Sequence, residues 1–122
     1  MKKVLVGGVF SVIHPGHLYL LKKAKSLGNY LIVVVANDKN VKKGYSIPAE
    51  KRKDQLEKLG FIDNVIIGDE NDKSKIVKEE KPDIIALGYD QKLEIKKPDN
   101  CMIIRIKKEG DYSTRKIMKG NK

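Results

Sequence analysis

Two histidines three positions apart are the residues of this chain with the clearest capacity for chemistry. His14 and His17 flank Gly16, and the sequence contains no other histidine. Across the start of a helix, that spacing can aim both imidazole rings at one point. A helix N-terminus adds backbone donors and the positive end of a dipole, which suit a phosphate group. The spacing therefore predicts a phosphate pocket.

The same residues allow simpler interpretations. His17 lies on an apolar helical stripe and could be a core histidine, and the Gly7-Gly8 pair is a weak signal by itself. A two-histidine metal site is conceivable, but no third ligand stands nearby at metal-site spacing. The phosphate interpretation is favoured because both histidines fall at the predicted ligand end of the first strand.

Apolar runs alternate along the chain with segments of helical periodicity. The predicted strands cover residues 3–7, 30–36, 62–67, 83–87 and 101–106. The predicted helices cover residues 17–27, 48–59, 72–80 and 113–119. Gly28 is expected to cap the first helix, and Pro48 to open the second. The alternation predicts an α/β fold: one Rossmann-like domain over residues 1–122, with a doubly wound parallel sheet of five strands.

In such a sheet, ligands bind outside the carboxyl ends of the strands, where the strand order reverses. The loops that follow the strands are therefore the expected binding segments: 7–16, 37–46, 68–71, 88–92 and 107–113. Residues 91–100 show no clear periodicity, and we expect a flexible loop there.

The net charge and the aromatic content of the chain favour some classes of binding partner over others. The chain of 122 residues carries a net charge of +10, which favours an anionic partner: a nucleotide, a nucleic acid or an acidic membrane surface. Five Tyr, two Phe and no Trp offer few platforms for base stacking, which disfavours a nucleic-acid partner.

The remaining features favour the cytoplasm. No apolar stretch approaches the ~20 residues of a membrane-spanning helix, and no signal-peptide pattern opens the sequence. The single cysteine, Cys101, lies in an apolar run and is predicted to be a buried thiol. A lone cysteine agrees with a reducing compartment, so we expect a cytoplasmic protein.

Residues 8–17 resemble the signature of the HxGH nucleotidyltransferase superfamily, in its cytidylyltransferase-like branch: Gly-x-Phe-Asp-x-x-His-x-Gly-His. The matching residues are Gly8, Phe10, His14, Gly16 and His17. Ser11 stands where the family has Asp. Because that Asp helps to organise the site and the acceptor, the substitution leaves the acceptor and the catalytic strength open.

Further matches extend the resemblance over nearly the whole chain. Lys42 or Lys43 matches a family lysine after the second strand, Arg52 an arginine in the next helix, and Asp63 an acidic residue before the third strand. Near the C-terminus, residues 109–115 resemble the family loop Arg-Thr-x-Gly-x-Ser-Thr-Thr. The resemblance implies that this loop opens the last helix and reaches phosphate oxygens.

Two segments resemble archaeal FAD synthases, which adenylylate FMN, more than the glycerol-phosphate enzymes. One is the run 81–91, Lys-Pro-Asp-Ile-Ile-Ala-Leu-Gly-Tyr-Asp-Gln, and the other is 47–52. In that group Asp90 would lie near the nucleotide, although a simple turn at the end of a strand explains it equally well.

The resemblance implies a role for each matched position. The implied catalytic residues are His14, His17, Lys43 and Arg115. The residues implied to bind nucleotide or phosphate are Gly8, Val9, Phe10, Gly16, Lys42, Arg52, Gly88, Asp90, Ser113 and Thr114. Ser11 and Asp38 are implied to bind the acceptor. The resemblance also implies a homodimer and a divalent cation, Mg²⁺, held mainly by the triphosphate rather than by protein ligands.

The leading hypothesis is thus transfer of a nucleoside monophosphate from a nucleoside triphosphate to a phosphate-bearing acceptor, with release of pyrophosphate. ATP and FMN, giving FAD, are the expected substrates. One alternative is a CTP-dependent cytidylyltransferase acting on glycerol 3-phosphate or a similar phospho-alcohol or sugar phosphate. A catalytically weak nucleotide-binding relative is another, and a nucleic-acid binder ranks below both.

Overall fold

The structure, a computed structural model, describes residues 2–10, 13, 15–40, 47–89, 91–93 and 95–107. The strands are β1 (Lys3–Gly8), β2 (Tyr30–Val35), β3 (Asn64–Ile67), β4 (Ile84–Leu87) and β5 (Met102–Arg105). The helices are α1 (Pro15–Ser26), α2 (Ala49–Glu57) and α3 (Lys75–Glu80), with a 3-10 turn at Asp38–Asn40. None of these helices is long and apolar enough to cross a membrane. The predicted helix 113–119 lies outside the described residues.

The five strands form one parallel sheet in the order β3-β2-β1-β4-β5. From β1 the chain moves outward to β2 and β3, then returns past β1 to add β4 and β5 on the other side. The direction of winding therefore reverses between β1 and β4. The predicted doubly wound, Rossmann-like α/β fold is confirmed.

The pairing of β1 differs on its two sides. With β2, the register runs from Lys3↔Tyr30 to Gly8↔Val35, along the whole strand. With β4, it covers only Val4↔Ile84 and Leu5↔Ile85. Beyond Leu5 the two central strands no longer pair, so the sheet splits toward its carboxyl end at the topological switch point. That is where the ligand crevice of an open α/β sheet is expected.

Side chains alternate between the two faces of the sheet and build a core on each. On one face, Val4 and Val6 of β1 pack with Leu21 of α1 and Leu56 of α2. On the other face, the buried residues include Leu5, Ile32 and Ile85 of the sheet, Val77 of α3 and Cys101. The sheet is therefore covered on both faces, which explains the continuous apolar runs of β2 and β4.

Cys101 is buried, as predicted. Burial raises the pKa of its thiol, because the thiolate would lose its hydration. The cysteine is thus part of the core.

Element boundaries differ from the prediction by a few residues. Helix α1 begins at Pro15 rather than at residue 17, and α3 begins at Lys75 rather than at residue 72. Pro48 occupies the N-cap position of α2, one residue before the helix. Residues 91–93 and 95–100 form neither helix nor strand.

Gly28 serves a different purpose from the one predicted. A Cβ atom at Gly28 would lie 2.6 Å from the carbonyl oxygen of Lys2, and the φ angle of Gly28 is not in the left-handed region. The same carbonyl accepts hydrogen bonds from the backbone N–H groups of Asn29 and Tyr30. Gly28 is therefore required by the close approach of the chain to β1, not by a left-handed helix cap.

Candidate active site

The loop after β1 contains a strained aromatic residue. Phe10 has φ = 53°, in the left-handed region that side chains other than glycine seldom adopt, and it is almost completely buried. Its ring lies over Gly8, where a Cβ atom would be only 2.7 Å from Cε2 of Phe10. Gly8 is therefore needed to admit the ring. Strain of this kind costs on the order of 1–3 kcal/mol and clusters at functional sites.

The Phe10 ring meets His17. The two ring centroids are 5.3 Å apart with an interplanar angle of 65°, an edge-to-face contact. His17 lies in the first turn of α1, and its Nδ1 atom is shielded from solvent. We therefore predict that Nε2, rather than Nδ1, is the ring nitrogen that contacts a ligand. The structure thus places five of the predicted residues at the junction of β1 and α1: Gly8, Val9, Phe10, Gly16 and His17.

Arg52, on α2, has no exposed surface. Its Nε donates to the carbonyl of Ile47 at 2.8 Å, one terminal nitrogen to the carbonyl of Val9 at 2.9 Å, and the other to Oδ1 of Asp38 at 2.8 Å. The guanidinium thus joins the loop after β1, the turn after β2 and the segment that enters α2. Direct contact with a phosphate remains a prediction, and this geometry favours an indirect role.

Asp38 follows β2 in a mostly exposed position, with 59% of its side chain accessible. Its Oδ1 accepts from Arg52 and also from the backbone N–H of Ala49 at 2.9 Å. Pro48 makes no side-chain cap, so Asp38 supplies the capping oxygen for α2 from eleven residues upstream. Its predicted contact with the acceptor is untested, but the carboxylate lies at the carboxyl edge of the sheet.

Gln91 bridges the split between β1 and β4. Its Nε2 donates to the carbonyl of Gly7 at 2.8 Å, and its Oε1 accepts from the backbone N–H of Gly88 at 2.7 Å. Gly88 is buried beneath this carboxamide, because a Cβ atom there would stand 3.3 Å from Oε1. Gln91 thus ties the end of β1 to the loop after β4 where their backbone ladder has stopped.

Arg105, the last residue of β5, holds the same loop from the other side. One of its terminal nitrogens donates to the carbonyls of Gly88 at 2.9 Å and Gln91 at 2.7 Å, and lies 3.4 Å from the carbonyl of Tyr89. The guanidinium neutralises carbonyl dipoles that converge at the turn. The loop after β4 is therefore fixed by two side chains.

Sequence reasoning did not place Gln91 or Arg105 in the site. Gln91 ends the run 81–91 that carries the resemblance to FAD synthases, which was the available signal. For Arg105 the signal was weaker: a basic residue near the end of an apolar strand.

Asp63 lies at the opposite edge of the sheet from these residues. Its Oδ2 accepts from Lys25 and from the backbone N–H of Leu31 at 2.7 Å. The hydrogen bond from Lys25, followed by that from Leu31, lowers the pKa of the Asp63 carboxyl. This acidic residue therefore joins α1, β2 and the start of β3 and serves the fold.

Eight predicted site residues lie outside the described residues: Ser11, His14, Lys42, Lys43, Asp90, Ser113, Thr114 and Arg115. Their roles remain predictions. In the described part of the chain, no three His, Cys, Asp or Glu side chains are grouped as metal ligands would be.

Comparison with known proteins bears on this site. The chain is 45% identical to the FAD synthase of Archaeoglobus profundus, in an alignment of 132 positions, gaps included, that covers 98% of this chain and 85% of the relative. It is 42% identical to the FAD synthase of Archaeoglobus fulgidus, covering 85% and 83%. With the FAD synthase of Ferroglobus placidus the identity is 50%, over 75% of this chain and 61% of the relative.

A solved structure shares the fold. The crystal structure of the lipopolysaccharide core biosynthesis protein from Thermoplasma volcanium matches with a TM-score of 0.78 and 38% identity, over 88% of this chain and 98% of that one. The cytidylyltransferase-like family model matches residues 5–119, which include the histidine junction, Arg52 and the loop after β4. The chain therefore belongs to the cytidylyltransferase-like family.

Proposed function

We propose that this protein is an FAD synthase, which transfers AMP from ATP to FMN and releases pyrophosphate. The structural observation that carries the proposal is the contact of a strained Phe10 with His17, beside the split of the sheet. The choice of ATP and FMN rests on the archaeal FAD synthases, which are 42–50% identical in the three comparisons above.

In the proposed reaction, a phosphate oxygen of FMN attacks the α-phosphorus of ATP. The new P–O bond forms as the bond from the α-phosphorus to the bridging oxygen breaks, and that oxygen leaves with pyrophosphate. No covalent enzyme intermediate is needed, so the protein contributes positioning and charge stabilisation. Nε2 of His17, with His14, donates hydrogen bonds to phosphate oxygens as negative charge builds on them.

The other predicted residues complete the two sides of the site. Lys42 or Lys43, Arg115, Ser113 and Thr114 hold the triphosphate and the leaving pyrophosphate, and Ser11 and Asp38 bind the acceptor. A divalent cation such as Mg²⁺, carried mainly by the triphosphate, would supply neutralising charge to the phosphate groups.

A pyrophosphate-release panel tests the proposal. ATP and CTP are each combined with FMN, glycerol 3-phosphate and a sugar phosphate, and chromatography identifies the product. We expect ATP with FMN to give stoichiometric FAD and pyrophosphate. Exclusive use of CTP would overturn the proposal, and nucleotide binding without pyrophosphate release in any pair would indicate a catalytically weak relative.

A second candidate is transfer of a nucleotide to an acceptor other than a flavin. Two observations favour it. Ser11 replaces the Asp of the signature. The structural neighbour from Thermoplasma volcanium, which is 38% identical, is named as a lipopolysaccharide core biosynthesis protein. The sugar-phosphate and glycerol 3-phosphate arms of the panel address this candidate directly.

The protein is further proposed to act as a homodimer in the cytoplasm, and light scattering measures the first point. Nucleic-acid binding, the alternative suggested by the charge of +10, predicts strongly salt-dependent binding to DNA or RNA that nucleotides do not compete.

A further inference from the structure

We infer that Arg52 is a positioning residue that sets both substrate sides of the site from inside the fold, without touching either substrate. It fixes the histidine junction through the carbonyl of Val9, and it fixes Asp38 through the carboxylate. The inference rests on the proposed function for its kinetic readout, and on the contacts of Arg52 for its geometry.

The buried charge of Arg52 requires a partner. The guanidinium has no exposed surface, and a buried cation is costly unless it is paired and hydrogen-bonded. Asp38 is the anion in contact with it, while Val9 and Ile47 offer only neutral carbonyls. The buried cation therefore helps to hold a carboxylate most of whose surface is exposed.

The planar shape of the Arg52 guanidinium matches the positions of its three acceptors. Its three nitrogens reach three separate chain segments in fixed directions. An ammonium group is a point charge on a flexible stem and cannot hold three such acceptors in one plane. Lysine at this position would keep the charge but lose the geometry.

Arg52 is connected to His17 through the loop after β1. The carbonyl of Val9 belongs to the peptide that enters Phe10, whose φ of 53° needs outside support. The hydrogen bond from Arg52 holds that peptide in place. Phe10 in turn packs edge-to-face on His17. Arg52 therefore acts on His17 through two residues, Val9 and Phe10.

The acceptor side depends on the same group. Oδ1 of Asp38 receives both Arg52 and the N–H of Ala49, so the carboxylate is fixed from two directions. Without Arg52, Asp38 keeps only the helix-cap contact. One guanidinium thus couples a loop on the proposed nucleotide side to a carboxylate on the proposed acceptor side.

The kinetic test compares Arg52→Lys with Lys51→Gln, a matched control that removes an exposed charge from the same helix. We expect Arg52→Lys to lower kcat roughly 10- to 100-fold, because misplaced groups lose most of their effect on the transition state. The dissociation constant of ATP should stay within about threefold of the parent, since Arg52 makes no ground-state contact with it. A proportionate loss of ATP affinity would show direct binding and overturn the inference.

A second readout needs no turnover. His14 and His17 give the histidine signals in a proton spectrum, and His17→Ala assigns them. The edge contact with Phe10 gives the His17 ring protons a ring-current shift, which Arg52→Lys should reduce and Lys51→Gln should not. A fall in kcat with the His17 signal unchanged would contradict the proposed coupling through Val9 and Phe10.

Asp38→Ala provides an independent variant at an exposed position, should Arg52→Lys unfold, because alanine removes both side-chain oxygens. It is expected to reduce turnover and to speed exchange of the Ala49 amide proton. Parental turnover or an unchanged exchange rate in Asp38→Ala would overturn the inference. Where Arg52→Lys folds, the two effects on turnover should fall well short of adding in the double variant, since the residues act as one unit, and full additivity would also overturn the inference.

Failure of the proposed function gives a different pattern. If the parent makes no FAD, the same kinetic comparison is run with the substrate pair that it does use. The His17 signals and the Ala49 exchange rate report on Arg52 whichever pair that is.

Discussion

Both the amino edge and the carboxyl edge of this parallel sheet contain backbone groups that need hydrogen-bond partners, and side chains of opposite chemistry supply them. At the amino edge, backbone N–H groups need acceptors, and side-chain oxygens supply them. Leu31 donates to Asp63, Lys3 to Asp83 at 2.8 Å, and Lys2 to Asn29 at 2.7 Å. Each contact joins segments far apart in sequence and closes the end of the sheet.

At the carboxyl edge, backbone carbonyls need donors. Arg52 supplies the carbonyl of Val9, Gln91 that of Gly7, and Arg105 that of Gly88. Asn37 donates to the carbonyl of Gly68 at 3.0 Å. The donors here are guanidinium and amide groups, where the amino edge uses two carboxylates and an amide oxygen.

The difference follows from strand direction. Because all five strands run the same way, their unpaired N–H groups gather at one edge and their unpaired carbonyls at the other. Satisfying the carbonyls brings two guanidinium groups to the edge where α1 also begins. The requirement of the fold thus enriches the ligand edge in groups that favour anions, while the amino edge gains Asp63 and Asp83. We therefore expect changes at the carboxyl edge to reduce turnover and changes at the amino edge to reduce stability.

The largest expected effect is that of His17→Ala at the carboxyl edge. Loss of a preorganised donor to a transition-state phosphate should lower kcat by roughly 10²–10³-fold, or about 3–4 kcal/mol. His14→Ala is expected to act similarly. Steady-state kinetics measure the loss, and circular dichroism checks that the fold is retained. Near-parental activity in either variant would show the proposed mechanism to be wrong.

Gly28→Ala tests the amino edge. The new methyl group would meet the Lys2 carbonyl at 2.6 Å and Val4 Cγ2 at 2.9 Å, so the backbone of β1 must shift. We expect a loss of about 1–3 kcal/mol in the free energy of unfolding, measured by urea titration. The kcat of the folded fraction should stay near the parental value.

Gly60→Ala is the matched control for that prediction. Gly60 has φ = 85°, but nothing lies within 4 Å of a Cβ atom there. The cost of Gly60→Ala in the free energy of unfolding is that of left-handed strain alone, about 1–2 kcal/mol. A greater loss in Gly60→Ala than in Gly28→Ala would refute the close-approach explanation.

Gln91→Ala tests the bridge across the split sheet. Removal of two hydrogen bonds should cost about 1–2 kcal/mol of stability. The loop after β4 should then lose its register with β1, and kcat/KM for the substrate pair should fall about tenfold. Gln91→Glu keeps an oxygen for the N–H of Gly88 but sets a carboxylate against the carbonyl of Gly7, so it should be the less active variant. Parental activity in Gln91→Glu would show that the hydrogen bonds of Gln91 across the split sheet do not support turnover.

The smallest expected effect is that of Asp63→Asn, with a loss of about 1 kcal/mol and unchanged kcat. The pKa of Asp63 is lowered in the folded state, so its carboxylate stabilises the fold above the unfolded pKa of about 3.9. That contribution disappears as the pH falls through the lower, folded-state pKa. Thermal midpoints measured from about pH 7 to about pH 3 should therefore converge for parent and variant. A difference that widens at acidic pH would contradict the sign of the shift.

Much of the site could be predicted from local sequence. His17 and Phe10 lie within ten residues, and Gly8 precedes them directly, so spacing alone indicated that they act together. The functions of Arg52, Gln91 and Arg105 could not be predicted in this way. Arg52 and Val9 are 43 residues apart, and Gln91 and Gly7 are 84 apart, so no local pattern shows that they meet.

Gly28 and Asp63 show that local sequence also fails to predict contacts between distant segments elsewhere in the fold. Gly28 after a helix looks like a cap, because the carbonyl of Lys2 that requires it belongs to a distant segment, just before β1. Asp63 matches an acidic residue of the family, but its place at the amino edge of the sheet follows only from the strand direction.

The class of fold and the junction that carries the histidines can be predicted from the sequence, because strand and helix periodicities and the motif of residues 8–17 are local properties. What supports that junction depends on tertiary contacts. The tertiary structure splits β1 from β4 after Leu5, bridges the gap with Gln91, and buries Arg52 beneath Val9 and Asp38. These contacts depend on which strand ends become neighbours in a parallel sheet, and strand order depends on the packing of the whole chain.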